Sequence, residues 1–114
     1  MANDEKRIHA RINALNLISY ECMDETGQMI LQGMGRTLNI SEGGMLLETH
    51  VQIELPCTVS LAIGLEDDLI NIKGTVVVSK PGEADKFESG IKFAEIGETE
   101  LTVLKLFIQV FNEL

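Results

Sequence analysis

Near the start of the chain, "EKRIHARI" gathers Lys6, Arg7, His9 and Arg11, four residues able to carry positive charge within six positions. The remainder of the chain is largely acidic, so clustering this tight reads as a site for an anion. Arginine is the informative type. Its planar fork grips a phosphate through paired donors, or the O6 and N7 acceptors of guanine, in ways that the point charge of lysine does not reproduce. In an extended segment Arg7 and Arg11 would stand roughly 13 Å apart on one side, and a bent loop could close both on one ligand. The same residues also suit a solvated basic tail pairing with surface carboxylates.

A second polar constellation, "LNISEGGMLLE", runs from Leu38 to Glu48. At a period of two, Leu38 and Ile40 fall on one face of a strand and Asn39 and Ser41 on the other. Two readings fit the stretch. In one it is a hairpin turn, with Asn and Ser bonding their own backbone and glycine supplying positive φ. In the other, Gly43 and Gly44 bare the main chain for close approach, and Asn39 and Ser41 offer hydrogen bonds beside it.

Strands position both groups. "TVSLAIGL" alternates Val59, Leu61, Ile63 and Leu65 against Thr58, Ser60, Ala62 and Gly64, and "INIKGTVVVS" alternates Ile70, Ile72, Gly74, Val76 and Val78 against mostly polar neighbours. Both patterns predict half-buried antiparallel strands. "FESGIKFAEI" repeats the alternation with Phe87, Ile91 and Phe93, while "ALNLISYECM" and "MILQGMGRTL" flank the turn "DETG". Six strands result, joined by turn signals such as "EDD" and "KPGEAD", in the spacing of a barrel or sandwich rather than of a parallel sheet.

From Glu98 the period changes to that of a helix. Leu101, Val103, Leu104, Leu106, Phe107, Ile108, Val110, Phe111 and Leu114 cover an arc of about 220°, against a narrow face of Thr102, Lys105, Gln109 and Asn112. Docking on a core needs a stripe of only about 100° or somewhat more. Either the helix is sunk deeply into its own barrel, or Leu104, Ile108 and Phe111 dock on the barrel while Val103, Phe107, Val110 and Leu114 form a partner surface, a homodimer being the simplest outcome.

Composition narrows the function. The 114 residues amount to one domain, large enough to fold without a disulfide or metal. The charged N-terminus lacks an apolar signal core, and no segment approaches the ~18 apolar residues of a membrane span, so a cytoplasmic protein without membrane insertion is expected. A net charge of −9 argues against DNA, RNA or membrane-surface binding through a broad basic patch. Cys22 and Cys57 lack CxxC spacing and read as buried thiols. His9 and His50 have no Cys, Ser or carboxylate arrangement of catalytic type, and nothing spaces metal ligands, so neither an enzyme nor a cofactor is expected.

Taken together, the motifs resemble the PilZ domain family. Arg7-Ile8-His9-Ala10-Arg11 has the form RxxxR, and Asn39-Ile40-Ser41-Glu42-Gly43-Gly44 has the form [D/N]xSxxG, in the order and spacing of that family's paired signature. "ARINALNLISYEC" looks like its first strand, "GIKFAEI" like the strand that closes its barrel, and "TELTVLKLFIQVF" like its C-terminal helix. The resemblance implies a mainly β fold: a six-stranded antiparallel barrel with a C-terminal α-helix. It also implies a receptor for the bacterial second messenger cyclic di-GMP that passes the signal to a protein partner and performs no chemistry on the ligand. Arg7 and Arg11 would hold phosphate and a guanine edge, Asn39 and Ser41 would hydrogen-bond the nucleotide, and Gly44 would leave room for the ring. Lys6 stands where many members carry a further arginine, a position bearing on whether one nucleotide or an intercalated pair is bound. Arg36 is either a third ligand contact or a strand-surface charge. Residues 1–13 are then a flexible ligand-binding segment ahead of a barrel domain at 14–114, mobile until the ligand pins it. The alternative is a PilZ-like interaction module that has lost nucleotide binding, for example in type IV pilus assembly.

Overall fold

The structure, a computed structural model, describes residues 17–65 and 68–113. Lys6, Arg7 and Arg11, with the segment 1–13 expected to be mobile, lie outside the described residues, as do Glu66 and Asp67 of the "EDD" turn. The elements are β1 (Leu17–Met23), β2 (Met29–Ile40), β3 (Gly44–Thr49), β4 (Cys57–Leu65), β5 (Asp68–Pro81) and β6 (Phe87–Phe93), followed by helix α1 (Glu98–Asn112). All pairings are antiparallel. The order β1-β2-β3-β6-β5-β4 returns to β1, so the sheet closes into a barrel and leaves no edge strand unpaired.

Alternation builds the core where it is unbroken. On β4, Cys57, Val59, Leu61 and Ile63 are buried, while Thr58 and Gly64 face solvent. Two other strands depart from a strict period of two. In β2 the register steps from Thr37 opposite Leu47 to Asn39 opposite Leu46, so Leu38 is the extra residue of a bulge. Thr37 therefore points inward and is buried, Leu38 is only half-buried, and Ile40 returns to the core. In β5 the register steps from Val76 opposite Ile91 to Val78 opposite Gly90. Val78, expected on the inner face, is thus turned out and is 44% exposed.

The two ends of the barrel are closed differently. At one, the segment 50–56 folds over the opening and buries Ile53. The Ile53 amide and the hydroxyl of fully buried Ser89 both donate to Ser79 Oγ, at 3.2 and 3.0 Å, which satisfies a polar group that would otherwise be costly inside the barrel. At the other, α1 packs on β4 and β5 and sinks Leu104 and Phe107 into the core. Phe107, placed on the partner surface in one of the two readings, instead lies about 60° from Leu104 around the helix, inside the same docking stripe, and stacks on Phe111 with ring centroids 6.2 Å apart. Val103, Ile108, Val110 and Phe111 are partly buried against the core, whereas Leu106 is 47% exposed. No helix among the described residues is long and apolar enough to cross a membrane.

Both cysteines are free and buried, as their contexts suggested. Burial, reinforced by the neighbouring Cys57 thiol, pushes the Cys22 thiol up to about 12, so it stays protonated and packs as a small hydrophobe.

Candidate functional site

The stretch "ISEGG" makes the tight connection between β2 and β3. The Ser41 amide donates to the Gly44 carbonyl at 2.8 Å, and the Ser41 hydroxyl accepts from the Gly43 amide at 3.3 Å and donates to the same Gly44 carbonyl at 3.4 Å. The turn reading is therefore correct as far as serine is concerned. The glycines follow the close-approach reading and not the positive-φ one, because among the described glycines positive φ occurs at Gly27, not at Gly43 or Gly44. A Cβ on Gly44 would run into the backbone carbonyl oxygen of Ile91 on β6. The close approach read from the sequence is thus made by a neighbouring strand, and the Phe93 amide fastens it by donating to the Gly43 carbonyl at 2.9 Å.

That approach shapes the outer surface of the barrel. Register places Asn39 opposite Leu46, Leu46 opposite Gly90 and Gly90 opposite Val78, so these four form one row across β2, β3, β6 and β5. Gly90 has no side chain, and Val78 leans over the gap, its Cγ1 only 2.9 Å from where a Gly90 Cβ would stand. An open depression of about 260 Å³ results, lined by Asn39, Ser41, Gly44, Leu46 and Gly90 together with the main chain around them. Its lining mixes the Leu46 side chain with the Asn39 amide, the Ser41 hydroxyl and bared main chain. Such a surface suits a flat heteroaromatic ring, whose face meets Leu46 and whose edge finds hydrogen-bonding partners.

One row away, Arg36, Glu48, Glu88 and Lys80 are aligned by the same register. Arg36 Nε and Nη2 reach the two carboxylate oxygens of Glu48 at 3.2 and 3.4 Å, and Lys86 Nζ lies 3.6 Å from Oε1. The Glu48 side chain is 10% exposed and the Arg36 side chain 53%, so the pair is a two-pronged bridge at a carboxylate largely shielded from water. Arg36 is thereby already neutralised within the barrel surface.

The structure accordingly gathers Asn39, Ser41 and Gly44 at one depression and commits Arg36 to Glu48, while Lys6, Arg7 and Arg11 lie outside the described residues. Sequence reasoning missed Leu46 and Gly90 as residues that line the depression, and Val78 as the side chain packed beside Gly90. A glycine inside the otherwise regular strand "FESGIKF" was the available signal for one of them. The other two depend on the bulged register and carry no mark of their own. Among the described residues no three His, Cys, Asp or Glu side chains gather as a metal site.

Comparison with known proteins agrees with this architecture. A family model described as "PilZ domain" matches residues 5–109. Among solved structures, a crystal structure of the PilZ domain of CeSA from a cellulose-synthesizing bacterium aligns with a TM-score of 0.60 at 13% identity, covering 86% of this chain and 95% of that one. At that identity the likeness concerns the fold. No curated relative matches. With nearly its whole length matched by the family model and the closed six-stranded barrel with a C-terminal helix in place, the chain belongs to the PilZ domain family.

Proposed function

We propose that this protein is a cytoplasmic receptor that binds cyclic di-GMP and relays the signal to a protein partner controlling motility, adhesion or exopolysaccharide. The observation that carries the reading is the convergence of Asn39, Ser41 and Gly44 on one depression beside Leu46. Cyclic di-GMP combines two flat guanines with two phosphodiester charges. The depression offers a seat for a base and hydrogen bonds for its edges, but the described residues around it bring little positive charge. Arginines from the N-terminal segment supply it in this reading.

Reach permits that assignment. β1 starts at Leu17, opposite Arg36 and therefore roughly 10 Å along β2 from Asn39. An extended chain covers up to about 20 Å between Leu17 and Arg11 and about 34 Å between Leu17 and Arg7, enough for both guanidinium groups to meet a ligand resting on Leu46. Each charge-assisted hydrogen bond is worth ~1.5–3 kcal/mol, so the two arginines would dominate affinity, with Asn39 and Ser41 setting orientation. The exposed Leu106 is the apolar side chain of α1 left for a partner or a second copy in this reading.

Isothermal titration with cyclic di-GMP, with GTP and cyclic AMP as controls, tests the proposal. Saturable binding of cyclic di-GMP alone, lost in Arg7→Ala and Arg11→Ala variants that keep the wild-type melting temperature, is expected. No heat with cyclic di-GMP would leave the interaction-module alternative as the better reading.

A further inference from the structure

Lys92 stands on β6 directly opposite Gly44 and in register with Thr75 on β5, two residues from Gly90 on the same outer face. It is exposed. Two of its outer-face neighbours, Gly44 and Gly90, have no side chains, and these are the glycines that border the depression. The lysine stem therefore meets no lateral packing on that side and is free to lie across the opening. Its charge is also uncommitted. Among the described cations, Arg36 and Lys86 are spent on Glu48, and Lys105 faces Glu42 at 3.9 Å. Lys92, like Lys73 and Lys80, has no ion-pair partner among the described residues, and of these three it is the one that stands opposite a residue lining the depression, Gly44. In a chain of net charge −9, an unneutralised lysine at the mouth of an otherwise uncharged depression is where an anion would be caught.

We infer that Lys92 is a ligand-binding residue that holds a phosphodiester oxygen of the nucleotide from the β6 side of the depression. The inference rests on the receptor reading above. A lysine suits the task, since a single ammonium on a flexible stem can follow one phosphate without the planar fit an arginine demands.

Titration of cyclic di-GMP into wild type, Lys92→Met and Lys73→Met at two ionic strengths decides the matter. Methionine keeps the stem and removes the charge. Lys73 is a control on the same outer face of the barrel, two residues along β5 from Thr75, the residue opposite Lys92, and outside the lining of the depression. Lys92→Met is expected to bind about 5–20-fold more weakly, with a flatter salt dependence and an unchanged melting temperature, while Lys73→Met stays within about twofold of wild type. Wild-type binding that Lys92→Met retains within twofold overturns this inference and leaves the receptor reading intact. Equal losses in both variants overturn it in favour of a diffuse charge effect. Absence of wild-type binding overturns the receptor reading and this inference with it.

Discussion

Two turns of nearly the same composition, "DETG" between β1 and β2 and "ISEGG" between β2 and β3, are built by opposite means. In the first, Asp24 Oδ1 accepts from the Thr26 amide at 2.9 Å, the Thr26 hydroxyl at 2.6 Å and the Gln28 amide at 3.0 Å, and Gly27 closes the turn with φ +86°. Nothing lies within 4 Å of the position its Cβ would take. This turn is self-sufficient, and its glycine answers a local backbone demand. In the second, the serine hydroxyl bonds are long and the glycine answers a demand made by another strand, the Ile91 carbonyl pressed against Gly44. A turn that holds itself leaves nothing over, whereas one held by β6 leaves Asn39, the Ser41 hydroxyl and the outer face of Leu46 available beside a glycine-bordered depression.

The largest effect that tests the contrast comes from Gly44→Ala. The added methyl meets backbone, not the end of a flexible side chain, so β3 and β6 must separate at the point where both also line the depression. A destabilisation of about 2–4 kcal/mol is expected in urea or thermal unfolding, with nucleotide binding lost as well. Gly43→Ala, whose Cβ would meet only Ser41 Oγ at 4.0 Å, should stay within about 0.5 kcal/mol of wild type. A tolerated Gly44→Ala would break the comparison, because the approach of β6 would no longer explain the glycine.

Gly27→Ala should cost less, about 1–2 kcal/mol, since the site is open and only the left-handed backbone resists a side chain. Gly27→Asn, which tolerates that region better, should recover part of the loss in the same unfolding measurement. Failure of asparagine to outperform alanine would mean that the glycine serves something other than φ.

These cases show how far the sequence could be read. Alternation on β4 was legible because each residue's face depends only on its neighbours in the chain. The bulges at Leu38 and Val77 were not, since a bulge is a mismatch between two strands and neither strand's pattern contains the partner's count. The apolar arc of α1 was visible in full, but which stripe docks was decided by how Phe107 fits over the barrel end. At the site, alternation marked Asn39 and Ser41 as outward-facing and the glycines as a place of turn or close approach, and only the family resemblance named Asn39, Ser41 and Gly44 as ligand contacts; Leu46, Gly90 and Val78 meet only through register across four strands. The physical reason for Gly44 was legible as a close approach but not as an approach by β6.

Acid should weaken the first turn and spare the second. The Thr26 hydroxyl, and after it the Gln28 amide, hold the Asp24 carboxyl below its ordinary value of 3.8. A carboxylate whose folded pKa is depressed contributes stability that is present above the unfolded value and is lost as pH falls through the folded one. The unfolding midpoint should therefore decline below about pH 4, with Asp24→Asn removing part of that decline while lowering stability at neutral pH by a small amount. Ser41→Ala should leave the acid slope unchanged, as no titrating group depends on its hydroxyl.

The smallest effect separates the two roles of Ser41 itself. Its hydroxyl bonds within the turn are 3.3 and 3.4 Å long, while the 2.8 Å bond from its amide survives replacement by alanine. Ser41→Ala in the free protein should therefore change stability by no more than about 0.5 kcal/mol. If the hydroxyl is turned to a nucleotide in the complex, the same substitution should weaken cyclic di-GMP binding by ~1 kcal/mol, about fivefold, the worth of one neutral hydrogen bond. The two numbers must be read together. A loss of affinity at constant melting temperature places the hydroxyl on the ligand. The reverse, a lowered melting temperature with affinity intact, would make the second turn as self-contained as the first, and the depression beside it would owe nothing to serine.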